Sequence, residues 1–381
     1  MSKKKKRRTV SLGSIPGATP TDQPASQAAQ PSTPPSAPPA KQQPAKQQPT
    51  KQRPATVRTT TKTVRAATTA PQVTDATSDS QLNSTRRQNY FSRWFDALNN
   101  FWFTPRSPRM LGVIRILTGV LLLYSLAVWT LELSTFFATD GLLPPSYRGA
   151  SFAWSHLDWF ASSSTMLLVV HCVGMLAVLL FAAGIQTRVT SVLTAVIAIG
   201  YCNRSLGADF GLDQILAFLC MYCAIGNSGG AYSVDRMLAF GKSVPAPPPS
   251  ATTNIAIRLI QIHLCIVYFF AAVGKLQGET WWSGEAVWRA MASYEYQQVD
   301  MTWLANYLPL VSAMTLVSLF WELLYPALVW PRLTRPIMLG VAVLVHLGIG
   351  VCMGMLEFGL VMLVANMAFL ERPPVVENQS L

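Results

Sequence analysis

Apolar residues are almost absent from the first quarter of this chain and run in long blocks through the rest of it. Windows of about twenty residues, matched to the thickness of a bilayer core, predict eight helices at about 110–133, 164–183, 188–202, 212–228, 255–274, 308–330, 336–353 and 355–371, with Gly354 turning the chain between the last two. The predicted fold class is an all-α integral membrane protein: a bundle of about eight transmembrane helices behind a disordered N-terminal tail. The linker VPAPPPSATTN, residues 244–254, divides the spans four and four without a sequence repeat. Residues 96–372 are therefore read as one transmembrane domain, followed by a short C-terminal tail at 373–381.

Charge separates the same two parts. Of the 381 residues, 1–95 carry 16 Lys and Arg against 3 Asp and Glu, whereas the remainder carries 14 against 15. A tail reading PSTPPSAPPAKQQPAKQQPTKQRP buries too little apolar surface to offset its chain entropy and is expected to be disordered. Its opening KKKKRR matches a nucleic-acid patch or a nuclear address, but in a membrane chain it suits anionic head groups, so the bilayer and not nucleic acid is the expected partner. No apolar signal-peptide region follows it, which leaves the first span as the targeting signal.

An even number of spans puts both ends on one side, and the basic tail makes that side the cytoplasm. Loops on that side hold Arg106, Arg109, Arg188, Arg236, Lys242, Arg332, Arg335 and Arg372. Opposite loops hold Asp140, Asp158, Asp209, Asp213, Glu279, Glu285, Glu295 and Asp300, with Arg148, Arg204 and Arg289 as exceptions. Six cysteines lie almost entirely within apolar runs. Cys220 and Cys223 form a C-x-x-C in mid-span without a second pair to complete a metal site, so small packing thiols are expected and no metal.

Ionisable side chains inside a span are the candidate chemistry. They are Arg115, His171, His263, Glu322, His346 and Glu357, and the fifth span stops on Lys275 at the outer face. Arg115 and Arg258 lie close enough to cytoplasmic ends to snorkel. A lysine at such an edge either anchors the span or acts as a base, because desolvation disfavours the charged form of an amine. Glu322 and His346 stand near the middle of neighbouring spans, where they can pair with each other, either to hold the bundle together or to do chemistry. Tyr268 lies two helical turns before Lys275 on the same face, whereas His263 points about 120° away and reads as a core histidine. The loop after Lys275 carries Trp281, Trp282, Trp288, Tyr294, Tyr296 and Trp303. These form either an interfacial belt or an aromatic mouth that admits a flat apolar ligand such as a quinone. No phosphate loop, H-E-x-x-H, G-x-S-x-G or dinucleotide fingerprint is present in the sequence.

Four segments, IVYFFAAVGKLQGETWWSG, FFATDGLLPPSYR, AYSVDRML and VHLGIGVCMGMLEFGLVML, resemble the horizontally transferred transmembrane (HTTM) domain family, over about residues 105–371. Its best-known member is the vitamin K-dependent gamma-glutamyl carboxylase. The resemblance implies that Lys275, in the K-L-x-x-x-x-W element, is the base that deprotonates a reduced naphthoquinone of the vitamin K or menaquinol type. Oxygen converts the product to a stronger base, which takes a proton from a glutamate γ-carbon, and carbon dioxide adds there. It also implies catalytic parts for His346 and Glu322 and a cofactor pocket around Tyr268, Trp281 and Trp282, on the face to which loop charge independently assigns Lys275. The chain departs from the family in reading Asn203 and Arg204 where the carboxylase has asparagine and histidine, and in ending soon after the eighth span, without the lumenal region that grips a protein substrate.

The expected function is thus a quinol-dependent carboxylase-like or quinol-oxidising enzyme of lyase or monooxygenase type, acting on an unidentified protein or small molecule at the outer face of a bacterial inner membrane. The alternatives are a non-catalytic scaffold or lipid- and quinone-binding protein, and a transporter with Glu322, His346 and Glu357 as a proton path.

Overall fold

A computed structural model describes residues 76–142, 144, 154–205, 208, 210–241, 243 and 245–370, giving the backbone alone for 76–89. The tail before residue 76, the C-terminal tail at 373–381, and Arg148, Asp209, Lys242 and Arg372 lie outside them. The described part is helical, and its one extended pairing is a bridge between Arg106 and Ser250.

Helix α1 (Ala76–Phe103) comes first, then α2 (Arg109–Leu131), the short α3 (Leu133–Phe137), α4 (Ser164–Ala183), α5 (Thr187–Arg204), α6 (Gly211–Ile225) and α7 (Val234–Phe240). The second half holds α8 (Ala251–Leu276), two short helices α9 (Glu279–Trp282) and α10 (Ala286–Met291), then α11 (Leu308–Leu328), α12 (Arg335–Cys352) and α13 (Leu356–Asn366). Helix α1 begins at Ala76, within the stretch read as tail. From Tyr90 onward aromatic residues recur at helical spacing, a pattern that the tail before it lacks.

Five helices, α2, α4, α8, α11 and α12, are long and apolar enough to cross a membrane. The other three expected spans form helices at the expected places but fall short of that standard. Helix α5 spends Thr187, Arg188, Thr190, Ser191 and Thr194 on its first half. Helix α6 has 15 residues, about 22 Å of rise. Helix α13 with its terminal 3₁₀ turn spans only Leu356–Phe369.

Local chemistry explains the ends. Ser163 caps α4 by accepting from the Met166 amide, and Gly184, at φ 74°, closes the helix in the left-handed conformation that glycine adopts without penalty. Proline occupies the first turn of α11 and α12, where its missing N–H costs nothing. Gly354, at φ 72°, makes the expected turn between α12 and α13.

Helix α2 packs along α4 and crosses α6, α5 lies against α4 and α6, and α8 pairs with α11. Helix α13 pairs with α12 and also touches α2, α6 and α8, so it joins the two halves. Small residues permit the closest approach: a Cβ built on Gly119 of α2 would sit 2.7 Å from Ala182 Cβ of α4. The main core runs from Leu111 and Ile114 through Cys220 and Leu264 to Tyr325 and Phe369, and a smaller cluster gathers Met291, Leu304 and Val311.

Candidate functional site

The last turn of α8 presents Lys275, and α11, packed beside it, presents Glu322. Lys275 Nζ donates to Glu322 Oε2 at 2.5 Å, with the two side chains 24% and 10% exposed. Trp281 of α9 lies under the ammonium, its ring centroid 5.2 Å from Nζ, within cation–π range. These three residues form the polar corner of a cavity of about 370 Å³ enclosed by α9, α10, α11 and α12. The remaining wall is almost wholly apolar, with Met291, Met314, Val345, Ile349 and Met353 prominent.

Behind this cavity lies a second polar group, buried and linked by its own hydrogen bonds. The Tyr268 hydroxyl meets His346 Nε2 at 2.7 Å and accepts from Asn366 Nδ2 at 2.9 Å. Asn366 in turn donates to the Met362 carbonyl at 2.9 Å, and its Oδ1 accepts from the Tyr325 hydroxyl at 2.6 Å. The direction of the Tyr268–His346 bond follows the tautomer of the imidazole. Among the described atoms Nδ1 is buried without a hydrogen-bond partner. Trp321 packs edge-on against Tyr268 at 4.8 Å.

The expected residues therefore divide. Lys275, Glu322 and Trp281 meet at the cavity. Tyr268 and His346 meet one layer deeper. Trp282 joins neither group: it is exposed, and its indole N–H caps the end of α8 by donating to the Leu276 carbonyl at 2.8 Å. The anticipated pairing of Glu322 with His346 is replaced by two others, Glu322 with Lys275 and His346 with Tyr268. Asn366 and Tyr325 complete the deeper group and were not anticipated. An amide within the run VMLVANMAF was the signal for Asn366.

Other polar side chains of the helices also have partners. Arg115 is fully buried and donates to the Ser228 carbonyl at 2.7 Å and the Tyr232 carbonyl at 2.6 Å, so it ties α2 to the loop before α7 instead of snorkelling. That loop contains the Tyr-Ser-Val-Asp tetrapeptide. In it Tyr232 takes a left-handed φ of 52°, Ser233 caps α7, and the Asp235 carboxylate accepts from the Gln186 and Thr187 amides at 2.8 Å each, capping α5. Burial acts to raise the Asp235 carboxyl, but the hydrogen bonds from Thr187 and Gln186 outweigh it and hold the group below the usual range. Arg258 lies 4.0 Å over the Phe101 ring and bonds the Phe101 carbonyl. His263 is half-buried and meets the Tyr222 hydroxyl at 3.0 Å. His171 bridges Thr130 and Tyr201, and Ser125 donates to Glu357. Arg204 pairs with Asp158 at 3.2 Å and donates to the Phe137 carbonyl at 2.8 Å, fastening the end of α5 to α3 and to the turn at His156–Trp159. All six cysteines are free, with Cys220, Cys223 and Cys265 buried. Among the described residues no cluster of three or more His, Cys, Asp and Glu is placed to hold a metal.

No family model, curated protein or solved structure matches this chain. The site must be read from its own chemistry. An ammonium–carboxylate pair and an amine–carboxylic acid pair hold the same number of protons, and either accepts one more, ending with the proton on Glu322. A ligand hydroxyl reaching the polar corner from the apolar side would meet that acceptor, with Trp281 beside it.

Proposed function

We propose that this chain is a multi-pass membrane protein of HTTM type. In this reading eight helices form the bundle, the N-terminus is cytoplasmic, and the cavity opens toward the outer face of a bacterial inner membrane. Its ligand is a flat, apolar ring compound with an acidic hydroxyl, of the reduced naphthoquinone class, and the Lys275–Glu322 pair takes the hydroxyl proton. The observation that carries this reading is the 2.5 Å contact of Lys275 with Glu322 at the edge of an otherwise apolar cavity. A buried pair of this kind is costly to keep where only packing is needed. Apolar walls with one convergent polar corner are the usual form of a small-molecule site. The proposed reaction uses oxygen as oxidant: quinol and O₂ give quinone epoxide and water, and the base so formed can serve a carboxylation. Tyr268, His346 and Asn366 hold the floor on which the pair rests.

A binder without turnover is the second reading. It is favoured by the completeness of the deeper network, in which nearly every polar atom already has a partner. Purified protein in nanodiscs, given reduced menaquinone and oxygen, separates the two. Epoxide formed by the wild type and lost in Lys275→Ala supports the enzyme. Menaquinone bound in the wild type without epoxide supports the binder. Neither binding nor epoxide overturns the quinol assignment.

A further inference from the structure

Helix α1 carries an apolar face that nothing in the described structure covers. From Tyr90 onward its large side chains fall at helical spacing on one arc, with Tyr90, Phe91, Trp94, Phe95 and Leu98 at 60, 64, 57, 62 and 37% exposure. Ser92, Arg93, Asp96, Asn99 and Asn100 occupy the opposite arc, so the helix is amphipathic from Tyr90 to Trp102. Its other end is firmly fixed. Asn254 of α8 donates to the Phe101 and Trp102 carbonyls at 2.8 Å each, Arg258 stacks on Phe101, and Phe101 packs against Trp330 at 6.0 Å. The helix is thus attached where α2 and α8 begin and α11 ends.

We infer that α1 is an in-plane membrane helix whose aromatic face enters the head-group layer of an anionic leaflet. Three observations choose this occupant over a protein. The exposed side chains are mainly Tyr, Trp and Phe, the residues that favour the membrane interface. The helix leaves the bundle at the ends of three helices long and apolar enough to cross a bilayer, so the surface of that bilayer lies beside it. The charge is complementary: residues 1–95 hold 16 Lys and Arg against 3 Asp and Glu, with Arg86 and Arg87 in the turn just before the aromatic face. Amphipathic helices bind leaflets through this sum of buried apolar area and attraction to anionic lipid. The inference rests on the spans crossing a membrane and is independent of the quinol reading, because Lys275 and its cavity take no part in it.

Hydrogen exchange of the full chain tests it, comparing nanodiscs of phosphatidylcholine alone with nanodiscs containing phosphatidylglycerol. Amides of residues 90–103 are expected to exchange about tenfold more slowly with the anionic lipid. The double variant Trp94→Glu, Phe95→Glu should abolish that slowing and leave exchange in α8 unchanged. Equal exchange in the two nanodiscs overturns the proposal, as does protection that rises with protein concentration, which would mean that a second copy covers the face. As a check that does not depend on the charged variant, lipids brominated near the head group should quench tryptophan emission less in Trp94→Phe than in the wild type. Unchanged quenching also overturns the proposal.

Discussion

Removing Lys275, Glu322 or both tests the pair directly. At 2.5 Å the gross attraction of two unit charges is about 7 kcal/mol for an effective dielectric near 20, and most of it is offset by the cost of taking both groups out of water. Losing one partner from a fully buried pair costs about 3–5 kcal/mol, because the survivor is left charged and unpaired. Here the Lys275 side chain is 24% exposed, so the figure must be discounted. Lys275→Met and Glu322→Gln should each cost about 2 kcal/mol. The double variant strands no charge and fills the corner with side chains of similar size, so it should cost about 1–2 kcal/mol, well under the sum of the singles. The coupling should then be about 2 kcal/mol, read by reversible unfolding in mixed micelles as a double-mutant cycle. Additivity of the three variants within about 0.5 kcal/mol would refute the reasoning, since it would mean the two groups do not share a bond in the folded protein.

Three further outcomes follow from the buried polar groups. Tyr268→Phe removes the acceptor for Asn366 and the partner of His346, and should lower stability by about 1–3 kcal/mol; an unchanged melting midpoint in detergent would count against the network. Arg115→Lys should destabilise nearly as much as Arg115→Met, because an ammonium cannot present the planar fork that reaches the Ser228 and Tyr232 carbonyls together; thermal melts of both variants check this. Asp235 holds a depressed carboxyl by capping α5, so its contribution is fully present above the ordinary value of 3.8 and is lost as pH falls through the lower folded value. Asp235→Ala should cost about 1 kcal/mol at neutral pH, and the difference from wild type should shrink in acid, as melts across that pH range would record.

Positions of the eight apolar helices were legible in the sequence because each rests on a local pattern, such as an apolar run, a serine cap, a proline in a first turn, or Gly354 at a reversal; α1, which begins in a polar stretch, was not. Which helices are long enough to span was less legible. Helix α5 looks apolar in a sliding window, yet its threonines and Ser191 face neighbouring helices, and only the packed structure shows them buried. Partner choice was the least legible part. Glu322 and His346 sit on consecutive helices, so sequence order suggested that they pair. The structure instead sets α8 against α11, which delivers Lys275 to Glu322, and brings Tyr268 and Asn366 to His346. Those contacts join positions 47, 78 and 98 residues apart, separations over which no periodicity carries information.

The two polar groups have different character, and the difference locates where chemistry can occur. Asn366 spends both amide hydrogens and its oxygen on named partners, and the Tyr268 hydroxyl bonds both Asn366 and His346, so this group resembles a rivet holding α8, α11, α12 and α13 together. Such a network resists change because moving any member strands another in a buried place. The Lys275–Glu322 pair is less constrained: among the described residues each group has the other as its charged partner, and one side opens on a cavity whose walls, Ser318 aside, are apolar. A ligand hydroxyl there can join the pair without breaking the deeper layer. Rigidity behind and spare hydrogen-bonding capacity in front is the arrangement a binding site requires, and in the described residues it occurs where α8 ends against α11.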